Sequence, residues 1–419
     1  MAPSANALVA HVLRRTSFGP SPDRVASFEK AGEAAPAAAL DWALSTPPRA
    51  IEPQAAKSDD WEPALRGWVS NLLSPDAGLH ERMVWFWHGH FATSSAKVGN
   101  QLILHNQQRL LREHALGTFP DLLRTVITDP AMLLYLDADP STVDAPNENL
   151  SRELLELFTL GRGNYSELDV KSGALALAGW EVDYDAGTAK FNPEKALGGE
   201  VVYLGRRGRL GVNEVVDTIC KNNACAPHIA NRMYLHFIGS APQPARLKEL
   251  ADGFRSSGMQ IQPLIENILR GEEFLRVRMN RPRFALEWWT AALAAIGPFR
   301  DGEDTDVNPW VLEQLDQLPY RPPNVAGWPM GAKWLGASQQ LTRAAYVWGI
   351  SWRMKPIEPV GGTDLVGATL KQCSLFEVSP ATRTALNQAA LATAGAGDAL
   401  SVSRRLITTA LCSPEFALA

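Results

Sequence analysis

The chain has 419 residues, of which 46% are hydrophobic and 20% are charged, and its formal net charge at pH 7 is −5. This length and composition are typical of a globular protein with a large core. The acidic balance gives no basic field that would bind a phosphate backbone, so we expect no nucleic-acid partner. No stretch reaches the roughly 18 apolar residues of a membrane-spanning helix, so we also expect no membrane span.

The N-terminal residues lack the basic start and the continuous apolar run of a secretory signal. As written, the sequence is that of a cytoplasmic protein, and an exported protein whose leader had been removed would look the same. The four cysteines (Cys220, Cys225, Cys373 and Cys412) lack the spacing of a zinc site, so we expect buried free thiols. A disulfide between Cys220 and Cys225 is the alternative for an exported protein.

Helical periodicity and capping signals divide the first part of the chain into helices. The predicted spans are 4–16, 22–31, 34–45, 60–73, 79–88, 99–115 and 119–128. The helix at 79–88 is hydrophobic on nearly every side and is therefore predicted to be buried. His88 and His90 would lie about 200° apart on a continuous helix. They could face one centre only if the helix breaks at Gly89, and we expect such a break.

The segment from 131 to 139 has an apolar body that would hold Tyr135 at the rim of the core. A helix is then predicted from 147 to 160, with Gly161 as its end. Its polar side carries Glu148, Arg152 and Glu156 at successive i,i+4 positions, flanked by further polar residues that include Asn147 and Glu153. This row is either an exposed ladder of ion pairs or one wall of a polar cleft.

The hydrophobic period changes from helical to alternating between 181 and 204. This pattern predicts a β-hairpin at 181–191 and a further strand at 200–204. Helices are predicted on either side, at 166–178, 212–220, 224–237, 243–256, 261–269, 282–296, 338–354, 381–395, 398–411 and 413–418. The predicted fold is therefore mainly α, a single large helical domain over residues 1–419 with a small β-hairpin insertion around 181–204. The alternative places a seam between two domains near 205–212.

A loop rich in proline, glycine and tryptophan follows at 320–334. Such a loop is stiff without regular structure, which suits the wall of a site, although a long connection that only packs has the same composition. Asn324 and Trp328 lie in it as candidate ligand-binding residues. The chain contains 13 tryptophans, and indole rings in a cleft stack on flat ligand faces such as those of sugars.

Phosphate-binding loops, nucleophile elbows and the His-Glu-x-x-His motif are absent from the sequence. The polar residues that remain support an enzyme that cleaves a glycan or similar polar polymer by acid-base chemistry. In this first hypothesis Glu148 or Glu153 is the acid or base, and His90 is its partner. The substrate, a polar polymer or a small molecule, would be bound by Asn147, Arg152, Tyr135, Asn324 and Trp328.

Two other hypotheses stay open. The second is a metal-dependent oxygenase or hydrolase in which His88 and His90 bind one divalent transition metal together with Glu148 or Glu153. The third is a non-catalytic scaffold or binding protein in which Arg152 and its acidic neighbours only stabilise the core.

Several blocks of the sequence resemble one known family, the bacterial domain-of-unknown-function family numbered eighteen hundred. They are Val12–Pro20, Met83–Thr93, Arg112–Gly117, Asp129–Asp137, Asn147–Gly161 and Pro323–Pro329, in the same order across nearly the whole chain. The resemblance implies no particular activity, although many members look exported. The family pattern also has a His-Asp pair after the β-structure, where this sequence carries Lys195-Ala196.

Overall fold

The structure, a computed structural model, describes residues 3–48, 62–74, 76–297, 299–300, 308–359, 364–392 and 398–419. Helices make up most of these ranges, and their β-structure consists of two small two-stranded antiparallel sheets. The prediction of a mainly α fold with a small β insertion is therefore confirmed. Residues 60 and 61 of the fourth predicted helix lie outside the described ranges.

The first half of the fold consists of short helices with well-defined N-terminal caps. They are α1 (Ala5–Thr16), α2 (Pro22–Ser27), α3 (Ala35–Ser45), α4 (Glu62–Leu73), α5 (Leu79–His90), α6 (Ser95–Val98), α7 (Gln101–His114), α8 (Phe119–Ile127), α9 (Pro130–Tyr135), α10 (Glu148–Glu153) and α11 (Glu167–Ala176). Ser4, Thr118 and Ser166 each accept a hydrogen bond from a backbone N–H of the helix that follows. These caps explain why the predicted starts are close to the observed ones.

Two predictions about these helices are wrong. The helix expected at 22–31 ends at Ser27 and passes into a 3-10 helix over Glu29–Ala34, where Gly32 has a non-helical backbone. The helix expected to break at Gly89 continues through it to His90. Glycine lowers helix propensity by only about 1 kcal/mol, and the packing of a fully buried helix outweighs that cost.

The β-structure forms two hairpins. Strand β1 (Trp180–Asp183) pairs with β2 (Thr188–Phe191), and β3 (Val201–Tyr203) pairs with β4 (Arg206–Gly208) in a separate sheet. The sequence pattern missed β4, because Arg-Arg-Gly shows no apolar alternation. At the position where the family pattern has a His-Asp pair, Lys195 forms an ion pair with Glu181, with 2.5 Å between the charged atoms.

The second half of the fold is again helical. Its helices are α12 (Val212–Lys221), α13 (Cys225–Ile238), α14 (Pro244–Ser256), α15 (Ile261–Arg270), α16 (Glu272–Arg276), α17 (Ala285–Ile296), α18 (Val311–Gln314), α19 (Ala337–Ile350), α20 (Leu365–Gln372), α21 (Pro380–Leu391) and α22 (Ala399–Leu411). The helix predicted at 413–418 is replaced by turns, because the backbone of 417–419 bonds to that of Arg281 and Arg283. The four cysteines are free thiols, and Cys225 and Cys373 are buried as predicted, whereas Cys220 is partly buried and Cys412 is exposed.

The core is continuous around α5 and α17, which carry the fully buried Trp87, Trp288 and Trp289. Helix α12 packs against α8 and α11, so the chain after 212 contacts the chain before 205. Among the helices that the structure describes, none is both long enough and apolar enough to cross a membrane.

Candidate functional site

The C-terminal end of α5 lies directly against the loop 320–334. The backbone N–H of Tyr320 donates to Nε2 of His88 at 3.1 Å, and the Trp328 ring stacks on Trp85 with 4.8 Å between centroids. A Cβ added to Gly327, whose φ is +77°, would lie 2.0 Å from the carbonyl oxygen of Gly89. Because only glycine fits this approach, the helix and the loop meet backbone to backbone.

His90 faces away from this loop contact. Its Nε2 lies 3.0 Å from the carbonyl oxygen of Phe158. Because a carbonyl only accepts hydrogen bonds, Nε2 carries the hydrogen and Nδ1 carries a lone pair. That Nδ1 is buried and has no hydrogen-bond partner in the described structure. Burial, followed by the charges of Arg232 and His228, holds the pKa of His90 well below its usual value, so the ring is neutral at pH 7.

The carbonyl that His90 contacts belongs to a π-helix. The chain winds as a π-helix over Leu154–Thr159 directly after α10, so the prediction of one uninterrupted α-helix over 147–160 is wrong. His228 Nε2 lies 3.1 Å from the Leu157 carbonyl oxygen. Two histidine rings therefore hydrogen-bond two consecutive carbonyls of this segment. Short π-helical turns occur often at functional sites.

His90 lines a cavity of about 50 Å³ that opens between α5, α13 and the loop 320–334. We call it the His90 cavity, and its walls are Trp85, Phe86, Gly89, His90, Arg232, His236, Phe284, Gln317, Trp328 and Met330. Such a volume holds a water molecule or two, or one small polar group such as a carboxylate, and is too small for a sugar ring. Met330 is 39% exposed and marks the open rim.

Three residues that line the His90 cavity each have a buried polar atom without a partner. Gln317 Nε2, Trp328 Nε1 and His236 Nε2 are buried and have no hydrogen bond within the described chain. Gln317 Oε1 accepts from the backbone N–H of Leu286 at 2.8 Å, so the free end of that amide is the NH₂ donor. Arg232 has neither a hydrogen bond nor an ion pair with any described residue, and desolvation lowers its pKa.

Behind His236 lies a buried group of charges with more arginines than carboxylates. Arg82 and Arg281 both donate to Glu287 Oε1, the latter at 2.9 Å. The pKa of His236 is lowered well below its usual value by burial and by the charges of Arg82 and Arg281, with Glu287 opposing them. The inner end of the cavity therefore faces a positive electrostatic field.

The sequence pattern did not identify Arg232, His236 or Gln317. The available signal was Arg232 and His236 at i,i+4 on α13, in a stretch whose neighbours Met233, Phe237 and Ile238 are all buried apolar residues. Two polar residues on the buried side of a helix indicate a polar site in the core. Gln317 carried no comparable signal, since it lies in an irregular segment after α18.

The predicted acidic row lies outside the walls of this cavity. Arg152 pairs with Glu148 at 3.1 Å and with Glu167 at 2.7 Å, and its side chain is 33% exposed. Asn147 is the N-cap of α10, where its side chain accepts from the N–H of Asn149 at 2.7 Å. Of the two interpretations given for this row, the structure therefore favours the exposed ladder of ion pairs over the wall of a polar cleft.

Glu153 differs from the other carboxylates of the row. Its side chain is half-buried and has no hydrogen bond or ion pair with the residues described. Burial and the neighbouring Glu156 raise its pKa, whereas Glu156 itself bonds to Tyr165 and Arg162. Glu153 is thus the carboxyl group of this helix whose environment favours the protonated acid.

The remaining predicted binding residues are dispersed. Tyr135 lies at the end of α9, with Lys97 Nζ 5.7 Å from its ring centroid. Asn324 is exposed, and its Oδ1 accepts from the N–H of Ala326 at 2.9 Å within the loop. The structure brings Trp328 and His90 to one cavity, and it places Tyr135 and Asn324 outside its walls.

The predicted metal set of His88, His90 and a carboxylate does not form. Because α5 continues through Gly89, the two rings point to different partners, the loop N–H of Tyr320 and the carbonyl of Phe158. In the ranges that the structure covers, no three His, Cys, Asp or Glu side chains come together as a group that could hold a metal ion. This correction follows from the helical geometry, in which residues two apart lie on opposite sides.

Comparison with known proteins gives one match. The model of a family described as "Protein of unknown function (DUF1800)" matches residues 11–418. No curated protein and no solved structure matches the chain.

Proposed function

The chain belongs to the DUF1800 family, and from its geometry we propose that it is an enzyme that cleaves a glycan or similar polar polymer by acid-base chemistry at the His90 cavity. His90 is the general base in this proposal, and Glu153, which lies on α10 outside the walls of the cavity, is the candidate acid. A non-catalytic binding protein remains the alternative, because the acidic row around Arg152 lies outside the His90 cavity and contributes no group to it.

The observation that carries the proposal is the free Nδ1 of His90. A buried ring nitrogen without a partner loses hydrogen bonds that water would give it, which costs stability. Its lone pair is held in one orientation by the bond from Nε2 to Phe158, and the lowered pKa keeps it unprotonated at neutral pH. A fixed, neutral imidazole in a cavity can accept a proton from a bound substrate, although the lowered pKa makes it a weaker base than a free imidazole.

The surroundings of the cavity support a polymer as the substrate. The stacked rings of Trp85 and Trp328 form one wall, and the exposed Met330 lies at the rim. Because the cavity is too small for a sugar ring, one substituent would enter it while the rest of the polymer lies outside along the rim. Glu153 supports the acid role through its raised pKa, which burial and Glu156 both favour.

The test compares His90→Gln with His228→Gln on a panel of neutral and acidic polysaccharides, with product release as the measurement. Glutamine at 90 can still donate to the Phe158 carbonyl but offers no basic nitrogen. We expect turnover to fall by about a hundredfold or more, the usual share of a general base. His228 makes the matching bond to Leu157 outside the cavity walls, so its variant should retain activity.

Equal turnover in the wild type and in folded His90→Gln would remove His90 as the base. If the wild type releases product from no polymer in the panel, the non-catalytic alternative is favoured. Glu153→Gln provides the second comparison, because loss of the acid should also lower turnover while Glu148→Gln should not.

A further inference from the structure

We propose that the His90 cavity is a carboxylate-binding site in which Arg232 is the counter-ion and Gln317 and Trp328 are additional donors. The proposed function then concerns an acidic polymer, one whose sugar units carry carboxylates. The assignment of the carboxylate to the substrate rests on the proposed function. The carboxylate-binding site itself can be tested without any measurement of turnover.

The first step of the argument is the missing partner of Arg232. Arg232 is only partly buried, but a guanidinium that loses part of its water without gaining a counter-ion is still destabilised. Arg246 on the next helix, α14, shows the usual arrangement, with Glu273 at 2.7 Å and Glu249 at 2.8 Å. Arg232 has no such carboxylate in the described structure, so a negative group from outside the chain would supply what is lacking.

Arg283 and Arg343, which are buried and have unbonded nitrogens, have a different environment. The guanidinium of Arg343 lies over the Trp288 ring at 5.1 Å, and that of Arg283 lies over Phe416 at 4.3 Å. Aromatic faces stabilise these cations. Arg232 has no aromatic ring beneath it among the described contacts, and it borders a cavity instead.

The second step is the convergence of donors. The NH₂ of Gln317 and the indole N–H of Trp328 belong to the same wall as Arg232, and both are buried without an acceptor. A carboxylate has two oxygens and about four lone-pair positions, and it matches the planar fork of an arginine. One carboxylate could therefore satisfy all three residues together.

The third step concerns the electrostatic field at the inner wall of the cavity and the size of the cavity. Behind His236, Arg82 and Arg281 share the single carboxylate of Glu287, so the inner wall is positive and favours an anion. The cavity of about 50 Å³ suits a carboxylate and excludes the ring that carries it. The lone pair of His90 Nδ1 repels a second anion but accepts a proton or hydroxyl hydrogen from an adjacent atom of the ligand.

The experiment measures binding by calorimetry and thermal shift at constant ionic strength. The probes are acetate, its neutral isostere acetamide, an oligogalacturonate, and the same oligomer fully methyl-esterified. We expect acetate to compete with the oligogalacturonate, and we expect the affinity for the oligomer to fall at least tenfold on esterification and in Arg232→Gln. Arg246→Gln is the control, because it removes a paired surface arginine and should leave binding unchanged.

Stability without ligand gives a second test. Because Arg232 has no partner, Arg232→Gln in carboxylate-free buffer should melt at the same temperature as the wild type or higher. A lower melting temperature would show that the protein itself satisfies this charge, and would overturn the inference. Binding of the methyl ester as tight as that of the acid, unchanged binding in Arg232→Gln, or tighter binding of inorganic phosphate than of acetate would overturn it as well.

The two proposals can fail separately. Carboxylate binding that depends on Arg232, without any turnover, would leave the site standing and remove the enzymatic proposal. Cleavage of neutral polymers that depends on His90, without carboxylate binding, would do the reverse.

Discussion

Gly327 determines how closely the loop that carries Trp328 can approach α5. Its φ of +77° and the 2.0 Å between an added Cβ and the Gly89 oxygen both disfavour any side chain. Gly331 in the same loop has a similar φ of +84° but has nothing within 4 Å of an added Cβ. A comparison of substitutions at Gly327 and Gly331 therefore separates the cost of backbone strain from the cost of steric exclusion.

We predict that Gly327→Ala lowers stability far more than Gly331→Ala. Gly331 has φ +84° and ψ −144°, a combination that essentially only glycine adopts, so strain alone should cost about 1–3 kcal/mol there. Gly327→Ala must also separate the loop from α5. Chemical denaturation of both variants measures the difference. Equal losses of unfolding free energy would show that the backbone contact between Gly327 and Gly89 contributes nothing.

The buried carboxyl group of Asp129 makes the stability of the protein depend on pH. It caps α9 and accepts from Gln107 at 2.7 Å and from the N–H of Met132 at 3.2 Å. Burial raises its pKa to about 7, although these hydrogen bonds oppose the shift. A carboxyl group whose folded pKa is raised stabilises the fold fully below its unfolded pKa, and this contribution is lost as pH rises through the folded pKa.

We therefore predict that Asp129→Asn gains stability relative to the wild type between about pH 4 and pH 7, by up to about 1.4 kcal/mol per pH unit. Asparagine keeps the cap without the charge. Asp398 caps α22 on the surface, and hydrogen bonds to Ser401 lower its pKa, so Asp398→Asn should change in the opposite direction, losing relative stability as pH rises through the pKa. Denaturation from about pH 2 to pH 7 measures both, because Asp398 titrates below about pH 4 and Asp129 above it, and a flat difference for Asp129→Asn would contradict the prediction.

At the scale of elements, buried and exposed ion pairs have different consequences. Glu287 on α17 joins Arg82 of α5 and Arg281 in the core, and these opposite charges lower its pKa despite burial. The ladder on α10 joins Glu148 and Arg152 at the surface. Removing a buried partner leaves an uncompensated charge, whereas water replaces an exposed one.

We predict that Glu287→Gln lowers the unfolding free energy by about 3–5 kcal/mol, whereas Glu148→Gln lowers it by less than about 1 kcal/mol. Both substitutions keep the side-chain shape, so the comparison isolates the charge. Urea denaturation at neutral pH is the measurement. A large loss in Glu148→Gln would mean that the ladder stabilises the core, as the scaffold hypothesis from the sequence requires.

At the scale of the whole molecule, the two ends of the described chain are bonded to each other and to the second half. Arg15 of α1 donates to the carbonyl of Ala419 at 2.7 Å, and Arg14 donates to that of Ser374 at 2.5 Å. His11 lies 2.8 Å from the carbonyl of Phe274. These contacts join residues before and after the alternative domain boundary near 205–212.

We predict one cooperative unfolding transition by scanning calorimetry, with equal calorimetric and van't Hoff enthalpies. Because the two ends of the chain are hydrogen-bonded to each other, the N-terminal and C-terminal halves should unfold together. Two resolved transitions would instead support two domains divided near 205–212.

The helices were predictable because their signals are local. The capping residues Ser4, Thr118 and Ser166 and the apolar periodicity lie within each segment, so a helix start can be located from a few neighbouring residues. The misses fall where tertiary contacts replace local preference. The π-helix Leu154–Thr159 and the turns at 413–418 depend on partners distant in sequence.

The sequence by itself determined the helical class, the β insertion and the candidates His90 and Trp328, because composition, period and residue type carry that information. Only the tertiary structure decided which polar groups meet. In the tertiary structure the acidic row of α10 lies at the surface, and Arg232, His236 and Gln317 line the same cavity as His90. The physical reason is that hydrogen-bond satisfaction and burial depend on the packing of distant elements, and a residue's unmet partners become visible only when all its neighbours are present.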